Sequence, residues 1–271
     1  MDESKIIEAI KTNPLAIRNI NNPTDEMKIV AIEKNGLLIR YISNPTMKMK
    51  ELAMKNNPRS IEFIEDPTEE MMIEAINAGW SNLNYIKNPT DLVMKLAIEQ
   101  RGWAIRYIKD PSEELQLLAV KKDYDSIKYI KEPYESVQKE AVNVSYDALR
   151  YITNPSYNTE IIAVKNNEAA IKFISNLDKD KIINFIKANI LVLRYISKSS
   201  LKEISNEELE NALKEVISND NIDEKFIRDF LTCNVIGKNS EILDIDKIMF
   251  IYKYGSKKAK KIAVDEKLKM N

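Results

Sequence analysis

Residues 111–132 read PSEELQLLAVKKDYDSIKYIKE, and residues 133–154 follow with PYESVQKEAVNVSYDALRYITN. Set one under the other, they share a leading proline (Pro111, Pro133), an Ala-Val pair (Ala119-Val120, Ala141-Val142) and a closing apolar-basic-Tyr-Ile run. That run is Ile127-Lys128-Tyr129-Ile130 in the first and Leu149-Arg150-Tyr151-Ile152 in the second. The same 22-residue step continues outward in both directions. Prolines keep it from Pro23 to Pro155, alanines from Ala9 to Ala163 and isoleucines from Ile20 to Ile196. A phase held for so long marks a structural repeat. It frames nine units over residues 1–198 and leaves 199–271 outside the array.

Each unit reads as two short helices. In 111–132, Asp110 reads as the N-cap with Pro111 at the first helical position. Glu113 and Glu114 suit the positive end of the helix dipole, and Lys121 and Lys122 the negative end. The first helix is expected to end near Asp123. In sister units Gly36, Gly79 and Gly102 fill this zone and read as left-handed C-terminal caps. A shorter helix follows, opened by Asn13-Pro14 and Asn57-Pro58 in two units, with Ile127 and Ile130 on its inner face in 111–132. Neither helix reaches the ~12–15 residues at which isolated helices become marginal, so stacking must stabilise the unit. The small alanine lets neighbouring helix backbones approach. The expected fold is all-α, an α-solenoid superhelix of nine two-helix repeats closed by a helical C-terminal cap.

The Asn/Asp-Pro corners, the Ala-Ile/Val pair and the short paired helices resemble leucine-rich variant repeats and, more loosely, HEAT repeats. They also look like repeat proteins of bacterial and viral proteomes. The resemblance covers residues 1–198 and implies a binding scaffold, since such solenoids serve many partners. Leucine-rich variant proteins can carry a cysteine-ligated cluster domain, which a single cysteine, Cys233, cannot supply.

The two ends read differently. The first unit begins in frame at Met1 and is expected to cap itself. Lys5 stands where Met27, Met49, Met71, Val93 and Leu115 follow, and Asn19 stands where later units carry Tyr or Phe. Toward the other end Leu177, Phe185 and Ser199 leave the consensus. Beyond it, Ser205-Asn206-Glu207-Glu208 is a capping-box pattern followed by Leu209, Leu213, Val216 and Ile217 at helical spacing. Phe226, Ile227, Phe230 and Leu231 suggest another helix. Ile248-Met249-Phe250-Ile251 and Ala263-Val264 echo the repeat and read as a degenerate terminal unit. Residues 199–246 hold five basic and twelve acidic residues, whereas 247–271 hold eight lysines and two acids. Either the two segments neutralise each other inside the cap, or they form an acidic patch and a basic tail for partners.

Composition narrows the chemistry. With no histidine, one cysteine and five single glycines, the chain lacks parts for a His-based triad, a multi-cysteine metal site or a phosphate-cradling loop. Cys233 reads as a buried, inert thiol. Carboxylate pairs such as Glu69/Glu70 and Glu113/Glu114 fall in first helical turns, where acids serve the dipole. No enzyme activity, cofactor or metal is therefore expected. A net charge of −1 gives no bulk attraction to nucleic acid or membranes. No apolar run approaches the roughly 18 residues of a membrane span. The acidic start and absence of a signal peptide point to the cytoplasm. Richness in Ile, Lys and Asn suggests an AT-rich genome, such as that of a low-GC bacterium or one of its phages.

One feature exceeds packing. In the second helix of the fifth to ninth units a cation precedes an aromatic without interruption, where earlier units carry Asn19, Glu62 and Asn84 at these positions, giving the candidate ladder Arg106-Tyr107, Lys128-Tyr129, Arg150-Tyr151, Lys172-Phe173 and Arg194-Tyr195. At 100° per residue the cations point away from the core isoleucines, and units ~9–10 Å apart would align them. The aromatics could instead seal grooves between units while the cations pair with neighbouring acids. The preferred expectation is a non-enzymatic protein-interaction scaffold, which if phage-borne would act on a host protein. The alternative is a nucleic-acid backbone binder using this ladder, which the balanced charge of residues 1–198 disfavours.

Overall fold

The computed structural model describes residues 2–269; Met1, on which the in-frame start was read, lies outside them. Every element among these residues is helical. Ten-residue α-helices open at a 22-residue step: α1 (Glu3–Thr12), α2 (Asp25–Lys34), α3 (Met47–Asn56), α4 (Glu69–Ala78), α5 (Asp91–Gln100), α6 (Glu113–Lys122), α7 (Glu135–Val144), α8 (Tyr157–Asn166) and α9 (Lys179–Ala188). A 3-10 helix follows each after one linking residue, as at Gly102–Tyr107 and Tyr124–Tyr129. The chain then continues through α10 (Lys198–Lys202), α11 (Asn206–Ile217), α12 (Glu224–Thr232), α13 (Lys247–Tyr254) and α14 (Lys257–Lys269). Contacts group it into two compact units, Met1–Pro133 and Tyr134–Asn271.

The N-terminal signals of the α-helices differ from the sequence expectation. Ser112, not Asp110, caps α6: its hydroxyl accepts the Leu115 N–H, and Pro111 precedes the cap. Thr24, Thr46, Thr68 and Thr90 do the same for α2 to α5. Asp110 instead adopts a left-handed φ of 49°, as do Asn22, Asn44 and Asn176. Asn and Asp tolerate this region better than other non-glycine residues. The corner is thus turned by Asn/Asp and the helix begun by Thr/Ser.

The glycines also differ from expectation. Gly79 is extended at φ 165°, and Gly237 alone among the described glycines is left-handed. At Gly36 and Gly102 the need is space, because an added Cβ would collide with the carbonyl oxygens of Ala53 and Ala119, one step further along the chain. The α-helices end when the linking residue turns extended, as Asn57 does at φ −151° and ψ 109°. That residue then caps the 3-10 helix: Asn35, Asn57, Asn167 and Asn189 accept N–H groups two positions on. Asn57-Pro58 opens its 3-10 helix as expected, with proline in the first position.

Stacking accounts for the core. Ala31, Ala53, Ala75, Ala97 and Ala119 are fully buried in the first unit, as are Ala141 and Ala163 in the second. Consecutive α-helices touch from α1 to α6 and from α7 to α9. Isoleucine or leucine of each 3-10 helix, such as Ile105, Ile127, Leu149 and Ile171, closes the opposite side. Amide side chains bolt neighbours together. Asn56 accepts from Gly36 N–H at 2.7 Å and donates to Glu33 O at 2.9 Å, and Gln100 donates to Ile76 O at 2.8 Å. At the first helix Lys5, Ala9 and Asn19 are exposed, in keeping with an outer face built to be wet.

In the second unit α11 packs on α9, and α12 packs on the 3-10 helix Ile190–Arg194. Ser205 and Glu208 form the expected capping box. Leu209, Leu213, Ile217, Phe226, Ile227, Phe230 and Cys233 are buried.

Candidate functional site

The cation–aromatic ladder lies on 3-10 helices, and this changes its geometry. At three residues per turn, positions i and i+3 eclipse. Trp103 therefore shares a face with Arg106, and Asp125 with Lys128, relationships that a 100° step obscures.

In the first unit the cations sit on ring faces. The Arg106 guanidinium carbon lies 5.3 Å from the Tyr107 centroid and 4.9 Å from that of Tyr129, one step on. Lys128 Nζ lies 4.2 Å from the Trp103 ring and 5.1 Å from Tyr129. Arg40 bridges Tyr41 and Phe63 in the same manner, each at 5.2 Å. In the second unit Arg150 lies 5.4 Å from Phe173, and Lys172 lies 4.3 Å from Tyr195. Within each unit the cation of one step thus lies over the aromatic of the next, as Arg40, Arg106, Arg150 and Lys172 do. Tyr107, Tyr129 and Phe173 are half-buried, whereas Tyr151 and Tyr195 keep 37% and 40% exposure.

Carboxylate neutralisation is the exception. Lys128 pairs with Asp125 at 2.7 Å. Among the described residues Arg106, Arg150 and Lys172 pair with no carboxylate, and Arg194 has neither a carboxylate nor a ring against it. Burial pushes the Asp125 carboxyl up. Hydrogen bonds from Lys128 and Trp103, with the charges of Lys128 and Arg101, outweigh it and hold the group below its ordinary value.

Sequence reasoning missed Trp103. Its ring lies between Arg101, at 4.6 Å, and Lys128, while its Nε1–H donates to Asp125 Oδ1 at 2.7 Å. Trp80 likewise stacks on Tyr107, centroids 6.1 Å apart. The overlooked signal was an aromatic three residues before Arg106, which a 3-10 period places on the ladder face.

The other groups behave as helix furniture. Glu69, Glu70, Glu113 and Glu114 occupy first turns. The Glu70 carboxyl is held below its ordinary value by its own backbone N–H and the Thr68 hydroxyl, a capping environment and not an acid–base one. Among the described residues no His/Cys/Asp/Glu group is arranged to hold a metal ion, and no helix is long and apolar enough to cross a membrane. No protein-family model, curated protein or solved structure matches this chain.

Proposed function

We propose that this chain is a nine-repeat α-solenoid acting as a non-enzymatic protein-interaction scaffold, its partner contacting the exposed cations of the ladder. The observation that carries this reading is the pairing of cation with ring. Arg106, Arg150 and Lys172 hold their positive charge in place over aromatic faces without a carboxylate to cancel it. Such seats pre-order long side chains, which lowers the entropy cost of meeting a partner's acids. Around them a buried, nearly invariant frame carries variable exposed residues, the arrangement repeat proteins use for recognition.

The nucleic-acid alternative needs the aromatics as stacking platforms. Cations already lie against Tyr129, Phe173 and Tyr195, so a base would have to compete with them or use the second ring face. Were all five cations to meet duplex phosphates, log K would fall with log salt at a slope of about −4.5.

The test is affinity capture from the source cells with the full chain and with the Arg106→Glu/Arg150→Glu/Lys172→Glu variant. Proteins held by the first and lost from the second are the expected result. Recovery of nucleic acid, with the steep salt slope, would replace this reading by the alternative.

A further inference from the structure

The C-terminal hairpin carries the most unusual surface of the second unit. Residues 247–271 hold eight lysines against two acids. The acids of 199–246 do not cancel them. Glu208, Glu215 and Glu241 pair with Lys179, Lys187 and Lys198, which precede that segment. Glu210, Asp229 and Glu224 pair within it. Among the described residues Lys253, Lys257, Lys260, Lys261 and Lys267 make no ion pair, and the pair that links the two segments, Arg228 with Glu266, takes its acid from the lysine-rich one.

Between these lysines the hairpin is apolar and uncovered. In the array the residue after the core alanine is sealed, with Val142 and Val164 both at 0% exposure. In α14 Ala263 is buried, but Val264, in the matching position, is 58% exposed. Met249, Tyr252 and Leu268 stand out at 58%, 71% and 70%. α13 is a full α-helix in place of the array's 3-10 helix. A shallow cleft lined by Ile248, Ile251, Tyr252 and Val264, with Lys260 and Lys267 at its rim, separates α13 from α14. It shares Ile248 and Lys267 with a recess of about 430 Å³ floored by Leu231 and Ile245. Lys260 Nζ lies 5.9 Å from the Tyr252 ring, at the edge of cation–π range.

We infer that the α13–α14 face is a docking site for an acidic amphipathic helix of a partner protein. The cleft takes that helix's apolar ridge, the recess takes one bulky anchor side chain, and the unpaired lysines meet its carboxylates. Interior helices of this chain bury the same Ala-Val face against another helix, and among the described residues none covers Val264 here. Charge decides its sign: a basic or neutral helix would leave five lysines unpaired or repelled. Concavity decides against a flat anionic bilayer, which offers no protruding side chain to fill the recess. The site is separate from the ladder and does not rest on it.

The test uses the full chain as bait for a displayed library of random helical peptides. Enriched peptides should carry bulky apolar residues at helical spacing among Asp and Glu. Their affinity should fall at least about tenfold on Val264→Glu and on Lys260→Glu/Lys267→Glu, and stay unchanged on Arg150→Glu. Val264, Lys267 and Arg150 are exposed and Lys260 is half-buried, and unaltered circular dichroism checks the fold. No enrichment, enrichment of basic peptides, or binding moved only by Arg150→Glu overturns the inference. So does adsorption to phosphatidylserine vesicles that outcompetes the peptides, or concentration-dependent self-association that Val264→Glu abolishes.

Discussion

The carbonyl oxygen of Ala119 occupies the space a Cβ on Gly102 would need. Gly36 meets Ala53 in the same way, whereas nothing lies within 4 Å of the Cβ position at Gly79. Gly102→Ala must therefore push two stacked helices apart, at a cost of about 1–3 kcal/mol. Gly79→Ala, on extended backbone in open space, should range from neutral to a gain of about 1 kcal/mol through the unfolded chain. Urea denaturation of both variants checks this, and equal effects would contradict the close-approach account.

The reassigned caps give a second expectation. Ser112→Ala removes the hydroxyl that accepts the Leu115 N–H and should cost about 1 kcal/mol. Asp110→Gly keeps the left-handed corner at φ 49° and should change stability by no more than about 0.5 kcal/mol. The order would reverse if Asp110 were the cap.

Acid should weaken the second unit at a definable place. The Glu208 carboxyl is pulled down to about 2 by the hydrogen bond from Lys179, then by the backbone and hydroxyl of Ser205. A carboxylate whose folded pKa lies below its unfolded value contributes stability above the unfolded value, and that contribution is lost as pH falls toward the folded one. The contribution should therefore be present above about pH 4.5 and fade toward pH 2. Glu208→Gln should be less stable than the parent at pH 7, with the gap closing across that window. Glu135, also drawn to about 2, by Lys139, Asn158 and Ser156, should behave alike. Thermal melts at stepped pH provide the measurement.

Removal of residues 199–271 should strip α11 from α9 and α12 from the Ile190–Arg194 helix. Phe185 and Leu193, at 0% and 2% exposure in the full chain, would then face water. The 1–198 fragment is expected to aggregate, as exposed apolar patches do. Light scattering distinguishes this from a soluble monomer, which would mean the C-terminal helices are not a cap.

The sequence alone determined the period, the helical class, the core columns and the capping box at Ser205. Each follows from a side chain's need to be buried or to hydrogen-bond locally, and a 22-residue phase displays those needs again and again. It also placed the ladder residues on one element. Three matters required the tertiary structure. Asn, Asp, Thr, Ser and Pro all favour helix starts, so only backbone angles could separate the corner at Asp110 from the cap at Ser112. A short apolar run does not declare whether its turn is 3.6 or 3 residues, and the 3-10 answer put Trp103 on the ladder face and brought Asp125 to Lys128. Finally, which charges cancel depends on distance across the fold. Residues 199–246 and 247–271 have opposite signs in sequence, but helix packing hands the acids to Lys179, Lys187 and Lys198 and leaves the lysines beside Val264 unpaired.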